Sequence, residues 1–230
     1  MTQALTQNIV YGILQGALYG LAAVGLSLVF GVTKLLNISH GELLMMGGYA
    51  TFWMFRLLNI DPFVSIPLTF VFLVMIGFVV YQLIFRRMVT FDDEKKIKNS
   101  MLVGFGLVLI LQNIALRLWT ADDRSVTTSY SGTAFTAFGI RFPVVRLASL
   151  GVALVSVVAL HFFLRKTYIG KAIRATVEDW EAASLMGINI KNVYLLSFMI
   201  GCGMAGIAGA LVSVGFSIDP SMGLQWTLKS

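Results

Sequence analysis

Residues 165–192 read RKTYIGKAIRATVEDWEAASLMGINIKN, a polar interval between two apolar stretches, 147–164 and 193–216, that are each long enough to cross a bilayer. Because its flanking segments are lipid-soluble, this interval is expected to lie outside the membrane. Within it, Thr176 and Asp179 form an S/T-x-x-D/E helix start signal, and Gly187 stands where a left-handed helix end is expected. The interval therefore predicts a short surface helix, about ten residues long, that is available to a soluble partner.

The composition indicates an integral membrane protein. Of 230 residues, 57% are hydrophobic and 12% are charged, against roughly 25% charged in a soluble domain. Six segments are long and apolar enough to span a bilayer as helices, which predicts an all-α, polytopic transmembrane bundle that forms one domain over residues 1–230. The six segments are 8–31, 41–58, 62–85, 100–119, 147–164 and 193–216.

The basic residues flank the apolar segments and form no patch with interleaved aromatic residues. The net charge of +6 therefore reports topology rather than nucleic-acid binding. With the N-terminus outside, the inner connections hold eleven Lys and Arg residues and the outer connections hold four. This bias places the 165–192 interval in the cytoplasm. The outer connection 120–146 contains Gly132, Gly139 and Pro143 between phenylalanines, which predicts an ordered cap or hairpin.

Small residues recur at every fourth position in the first and sixth segments, and we call these positions the first-span series and the sixth-span series. Such faces allow close helix packing. The partner of each face is either another helix of the same subunit, which is the commoner case, or a second subunit. The first-span series is Gly12, Gly16 and Gly20, and the sixth-span series is Gly201, Ala205 and Gly209.

The chain has no residues that would supply energy for transport. No Asp or Glu stands in the middle of a predicted span, whereas proton-coupled carriers usually place an ionisable relay there. There is no G-x-x-x-x-G-K-[ST] phosphate loop, since the one Gly-Lys pair, Gly170 and Lys171, is followed by alanine. No grouping of residues predicts a catalytic site, a metal site or a cofactor site. The sequence therefore predicts a protein that is not an enzyme and relies on another chain to hydrolyse ATP.

Residues 37–42, NISHGE, allow two interpretations. Ser39 and Glu42 fit a capping box that starts the second span, with Glu42 at the positive end of the helix dipole. Alternatively, Asn37, His40 and Glu42 line the inner mouth of a translocation pathway. The spacing alone does not choose between them.

Two stretches closely resemble the LivH-type permease subunits of branched-chain amino-acid ABC importers. They are LLNISHGELLMMGGY at 35–49 and GKAIRATVEDWEAASLMGIN at 170–189, and the resemblance continues into the small-residue span that follows. Residues 181–187 match the E-A-A-x-x-x-G core of the loop by which bacterial import permeases dock on their ATPase, although the later I-x-L-P part of that motif is absent. The ATPase-coupling residues that follow from this match and from the polar surface beside it are Arg174, Asp179, Glu181, Ala182, Ala183 and Gly187.

The resemblance also implies the setting of the protein. It implies a multi-pass permease of the bacterial inner membrane, in contact with lipid, that works with two ATPase subunits, a second homologous permease and a periplasmic substrate-binding protein. It implies further spans after a Pro-x-x-G segment such as 220–223, so the chain looks like a C-terminally truncated permease. Related permeases handle urea or short amides, which leaves the substrate open. An ion-coupled secondary carrier and a non-transporting membrane scaffold are the alternatives from other functional classes.

Overall fold

The computed structural model describes residues 2–89, 93–137 and 140–230. It confirms the predicted all-helical membrane architecture, with one two-stranded hairpin among the described residues. A 3₁₀ turn, Phe85–Arg87, follows the third helix. The helices and strands are α1 (Thr2–Thr33), α2 (His40–Leu58), α3 (Pro62–Leu83), α4 (Asp93–Trp119), β1 (Ala134–Ala137), β2 (Ile140–Pro143), α5 (Val144–Lys166), α6 (Tyr168–Glu178), α7 (Trp180–Leu185), α8 (Ile190–Gly215) and α9 (Met222–Lys229).

Five of these helices, α1, α3, α4, α5 and α8, are long and apolar enough to cross a membrane. The remaining predicted span, segment 41–58, forms α2, a helix of 19 residues that is about 28 Å long, but it is not among the five. α2 is less apolar than the five, and most of it from His40 to Phe52 is buried inside the bundle. A helix enclosed by other helices can carry polar residues that a lipid-facing span cannot.

Helix α8 is the centre of the bundle. In its most apolar window 72% of the residues are buried, against 33% or less in the other four candidate spans. α8 packs against α1, α2 and α3, and glycine lets backbone meet backbone there. A Cβ added to Gly47 of α2 would lie 2.8 Å from the Gly206 carbonyl oxygen, and one added to Gly209 would lie 2.8 Å from the Gly48 amide nitrogen. Glycines therefore set the distance between α2 and α8.

The two small-residue series have different surroundings. The sixth-span series is buried, and its Gly201 lies against Gly25 of α1. The first-span series points the other way: no described atom outside its own helix comes within 4 Å of a Cβ built on Gly12, Gly16 or Gly20. The packing face of α1 is formed instead by larger residues such as Leu18. The first-span series therefore contacts no other described part of this chain, and the partner of its face stays a prediction.

The outer connection forms the predicted hairpin. β1 and β2 pair antiparallel, with Phe135 opposite Phe142, while Gly139 lies outside the described residues. The hairpin leads directly into α5, so the connection has little free length.

Two further contacts hold the outer connection to the helices. Arg124 and Ile218 exchange backbone hydrogen bonds of 2.9 and 2.7 Å, which ties the connection to the segment after α8. The hydroxyl of Tyr130 donates a 2.7 Å hydrogen bond to Oδ2 of Asp61, the residue that caps α3. Burial, with a smaller contribution from this bond, raises the pKa of Tyr130 to about 12, so the phenol remains a donor at neutral pH.

Candidate functional site

The 165–192 interval folds into two consecutive helices, α6 and α7, instead of one. The Thr167 hydroxyl accepts a 3.0 Å hydrogen bond from the amide of Gly170 and so caps α6. A Cβ on Gly170 would collide with the carbonyl oxygens of Phe163 and Leu164, so glycine lets α6 turn closely against the end of α5. Ala172, Ile173 and Thr176 are buried. The amphipathic helix α6 is therefore fixed to the bundle and is not a loose surface helix.

The break between the two helices falls at Asp179. This residue is extended, with φ of −155° and ψ of 103°, and its Oδ1 accepts hydrogen bonds from the amides of Glu181 and Ala182 at 2.9 and 3.0 Å. The predicted start at Thr176 is wrong, because Thr176 lies inside α6 and donates its hydroxyl to the carbonyl of Ala172. An aspartate one position before a new helix is a stronger N-cap than a threonine already enclosed by a longer amphipathic helix.

Gly187 ends α7 in the left-handed conformation that the sequence predicts, with φ of 84°. The amide of Gly187 donates to the carbonyl of Ser184 at 3.0 Å, and the amide of Ile188 donates to the carbonyl of Ala183 at 3.1 Å. These two bonds form a Schellman motif, which closes α7 and redirects the chain toward α8.

The exposed surface of α7 differs from the one that the alanines suggest. Ala182 is exposed, but Ala183 is only 5% exposed and faces the protein. The outer surface instead carries Leu185, which is 89% exposed, and Met186, which is 84% exposed. Trp180 is half exposed at the other end of the helix. Sequence reasoning missed these three residues, although a visible signal was present, namely large apolar side chains within an otherwise polar interval.

The remaining predicted coupling residues do not form one cluster. Asp179 and Glu181 are exposed at the start of α7. Arg174 lies on α6 instead, on the wall of a 250 Å³ cavity that α6 shares with Ser27 and Gly31 of α1. The most exposed large apolar side chains of the interval, Leu185 and Met186, lie at the end of α7 and directly after it.

A second candidate site lies at the start of α2, where the chain enters the bundle without helical structure. Lys34 has a positive φ of 57° and ends α1. The following residues are largely buried, with the Leu36 amide donating to the hydroxyl of Ser100 at 2.9 Å and the Ile38 backbone packed against Gly104 of α4. Irregular backbone at membrane depth is tolerated where protein encloses it, and such places commonly form transport sites.

The capping-box interpretation of this segment is wrong. The hydroxyl of Ser39 donates to Oδ1 of Asn37 at 2.6 Å and makes no cap bond to α2. The amide of Gly41 donates a 2.8 Å hydrogen bond to the hydroxyl of Thr227 in α9. The carboxylate of Glu42 lies against Gly223, near the start of α9, instead of reaching back to the α2 N-terminus. The N-terminus of α2 is therefore capped by a side chain of α9 instead of by Ser39.

Asn37, His40 and Glu42 are all buried inside the bundle. Nε2 of His40 lies 3.2 Å from the carbonyl oxygen of Ala22, and the same ring lies beside Gly25, which itself packs on Gly201 of α8. Among the described residues, Asn37 Nδ2 and His40 Nδ1 have no hydrogen-bond partner. The carboxylate of Glu42 has no side-chain partner there, although the backbone of Leu224 in the first turn of α9 interacts with it. Buried polar groups are usually paired, so unpaired groups inside the bundle mark a candidate functional site.

The burial of Glu42 corrects one inference from the sequence. A helix start is normally at the membrane surface, and on that ground no carboxylate was expected within the spans. Because the chain enters the bundle before α2 begins, with His40 beside Ala22 of α1, Glu42 is buried inside the bundle instead of lying at its surface. The absence of an intramembrane carboxylate therefore no longer argues against an ion-coupled mechanism. Within the described ranges, no group of three potential ligands could hold a metal ion.

A bundle of apolar helices around a buried polar cluster, with a structured loop at one end, is the architecture of a multi-pass membrane transport protein. The family model for the branched-chain amino acid transport system permease component matches residues 8–230, and the chain belongs to this family. The resemblance found in the sequence is thereby confirmed.

Individual relatives agree with the family assignment. The chain is 25% identical to the high-affinity branched-chain amino acid transport system permease protein BraD of Pseudomonas aeruginosa, over 97% of this chain and 76% of the relative. It is 27% identical to the corresponding permease protein LivH of Escherichia coli K12, with the same coverage. A probable branched-chain amino acid transport permease protein LivH of Methanocaldococcus jannaschii is 27% identical over 92% of this chain and 69% of the relative. No solved structure matches the chain.

Proposed function

We propose that this chain is the membrane permease subunit of an ATP-driven ABC importer for branched-chain amino acids in a bacterial inner membrane. This chain has no phosphate-binding loop of its own, so two partner ATPase subunits would hydrolyse ATP. A second homologous permease and a periplasmic substrate-binding protein would complete the importer. The names of its relatives support the substrate class.

The observation that carries the proposal is α7. A rigid helix held between two caps, Asp179 and Gly187, presents Leu185 and Met186 almost fully to water. Large apolar side chains that are rigidly presented and flanked by acidic groups are typical of an interface core with a polar rim. We therefore assign the ATPase contact to the outer surface of α7, with Leu185 as its central residue.

Leu185→Asp tests this assignment. Burying a leucine side chain contributes about 2 kcal/mol, so its loss should lower the affinity for the ATPase by about 30-fold or more. The matched control is Tyr168→Asp, which adds the same charge to an equally exposed side chain at the far end of α6. Both variants should fold, since neither side chain is packed. ATPase capture by the purified permease should fall only for Leu185→Asp, and equal capture by both variants would refute the α7 contact.

The second proposed part is the polar cluster of Asn37, His40 and Glu42, which we place on the translocation pathway. The buried polar atoms of Asn37 and His40 that have no hydrogen-bond partner, together with the buried carboxylate of Glu42, support this role. They are the kinds of group that a zwitterionic substrate requires.

The buried carboxylate of Glu42 favours one rival function, an ion-coupled carrier. The two mechanisms separate in vesicles that contain the assembled transporter. Uptake should persist when the proton gradient is collapsed at constant internal ATP, and it should stop when ATP is withdrawn. Uptake that follows the gradient and ignores ATP would assign the protein to the carrier class.

A further inference from the structure

A cavity of 640 Å³ lies between the inner ends of α3 and α8. Three of its lining residues belong to the end of the 165–192 interval, but none lies on α7 or in the cluster of Asn37, His40 and Glu42. Tyr81 and Leu195 contribute to its walls and belong to the two helices, while the 3₁₀ turn after α3 contributes its rim. Its polar lining consists of three cations and three amides. These residues are Arg86, Arg87 and Lys191, and Gln82, Asn189 and Asn192.

The lining of this cavity is suited to an anion. Among the described residues, none that lines it is acidic. The guanidinium of Arg86 is held by a 3.0 Å hydrogen bond from Nη1 to Oε1 of Gln82, which orients it at the rim. α8 also begins here, at Ile190, so the positive end of a 26-residue helix faces the same space. Cations, amide donors and a helix N-terminus together provide the chemistry that recognises a phosphate group.

The surface next to the cavity is apolar. Val71, Met75 and Phe78 are exposed along the face of α3 that carries Gln82, which they precede by eleven, seven and four residues. Gln82 itself lines the cavity and holds Arg86. An acyl chain can pack along this apolar face of α3, which we call the track, and the face ends at the cations of the cavity. A soluble anion or an acidic protein segment would use the cations but not the track. A phospholipid would use both.

We propose that the cavity binds the phosphate-bearing headgroup of an anionic phospholipid, whose acyl chains lie along the exposed face of α3. Basic pockets between transmembrane helices bind such headgroups where a phosphate can reach the cations without leaving the membrane interface. The predicted orientation puts this end of the bundle at the cytoplasmic leaflet.

The test uses the purified chain in neutral detergent and measures the binding of phosphatidylglycerol by native mass spectrometry and by thermal shift. The probe variant is Arg86→Gln with Lys191→Gln. The matched control is Arg165→Gln with Lys166→Gln, which removes two positive charges at the same end of the bundle but outside the cavity. Each cation contributes to anionic-lipid binding by a factor of about five, so the probe variant should bind phosphatidylglycerol about 30-fold more weakly. The control should change less than threefold.

Each alternative has its own outcome. Equal losses in probe and control would mean that only general charge attracts the lipid, and unchanged binding in the probe variant would remove the cavity from the site. Inorganic phosphate or glycerophosphate that stabilises the chain as well as phosphatidylglycerol does would assign the cavity to a soluble anion. Displacement of the lipid by poly-glutamate would assign it to an acidic protein segment. If the probe variant does not fold, the unmodified chain still decides: no preference for phosphatidylglycerol over phosphatidylcholine refutes the proposal.

Discussion

Replacing Gly209 by alanine should weaken the whole bundle through a single methyl group. A Cβ at this position would lie 2.8 Å from the Gly48 amide nitrogen and closer still to the carbonyl oxygen of Leu44, where ordinary contact needs 3.4 Å or more. Both neighbours are backbone atoms, so no side chain can rotate away. The helices α2 and α8 must move apart by about 1 Å, which loosens packing along their shared face.

The expected loss in the free energy of unfolding of Gly209→Ala is the difference between two opposing effects. Overpacking of a tight interior costs about 3 kcal/mol at the upper end of its usual range. Replacing glycine by alanine in a helix gives back about 1 kcal/mol. The net loss of about 2 kcal/mol should lower the apparent Tm by roughly 4–8 °C for a chain of this size.

The control for this substitution is Gly12→Ala on α1. No described atom beyond its own helix lies within 4 Å of the added methyl group, so only the gain in helix propensity remains. Thermal unfolding of both variants in the same detergent at one scan rate gives the comparison. If Gly209→Ala unfolds at the same temperature as Gly12→Ala, backbone contact between α2 and α8 does not hold the bundle together.

Two further predictions concern the loop and the orientation. Gly187→Val should lower stability by about 1 kcal/mol or more, because its φ of 84° strains a β-branched residue even though the space is open. Gly187→Asn should cost clearly less, and equal costs measured by thermal unfolding would contradict the conformational explanation. On intact cells, an impermeant thiol reagent should label Ser129→Cys and leave Lys98→Cys unlabelled, with the native Cys202 buried in both. The reverse pattern would invert the predicted topology.

Local signals were predicted correctly from the sequence. The left-handed end at Gly187 depends on the residues beside it, because a Schellman motif is closed by bonds within one turn. The hairpin between β1 and β2 likewise followed from local glycine and proline. Each of these features was readable because its hydrogen bonds lie within a few residues.

Features that depend on contacts with residues far away in the sequence were not predicted. Ser39 and Glu42 have the spacing of a capping box, but Thr227 binds the Gly41 amide and Gly223 lies against the Glu42 carboxylate. Both partners are more than 180 residues away in sequence. The capping-box rule uses only the spacing of residues within one turn, so it does not account for a hydrogen bond to a side chain of another helix.

The orientation of α7 shows a related limit. Two adjacent alanines in the E-A-A-x-x-x-G element would form a small, flat surface if both faced outward, but Ala183 is buried against the protein. Leu185 and Met186 occupy the outer side instead. In a helix of six residues, a shift of the start by a few positions changes which residues face outward. The misplaced start at Thr176 therefore carried the error into the site.

The glycine contacts between α2 and α8 also constrain how the protein can change conformation. Side chains that interdigitate allow two helices to slide by exchanging rotamers, whereas backbones in direct contact have no such freedom. We therefore expect α2 and α8 to rotate together as one rigid pair. The first turn of α8 follows α7 after only four residues, and α2 carries Glu42. A tilt imposed on α7 from outside the membrane would thus displace the buried carboxylate directly, with the pair pivoting against α1 and α3.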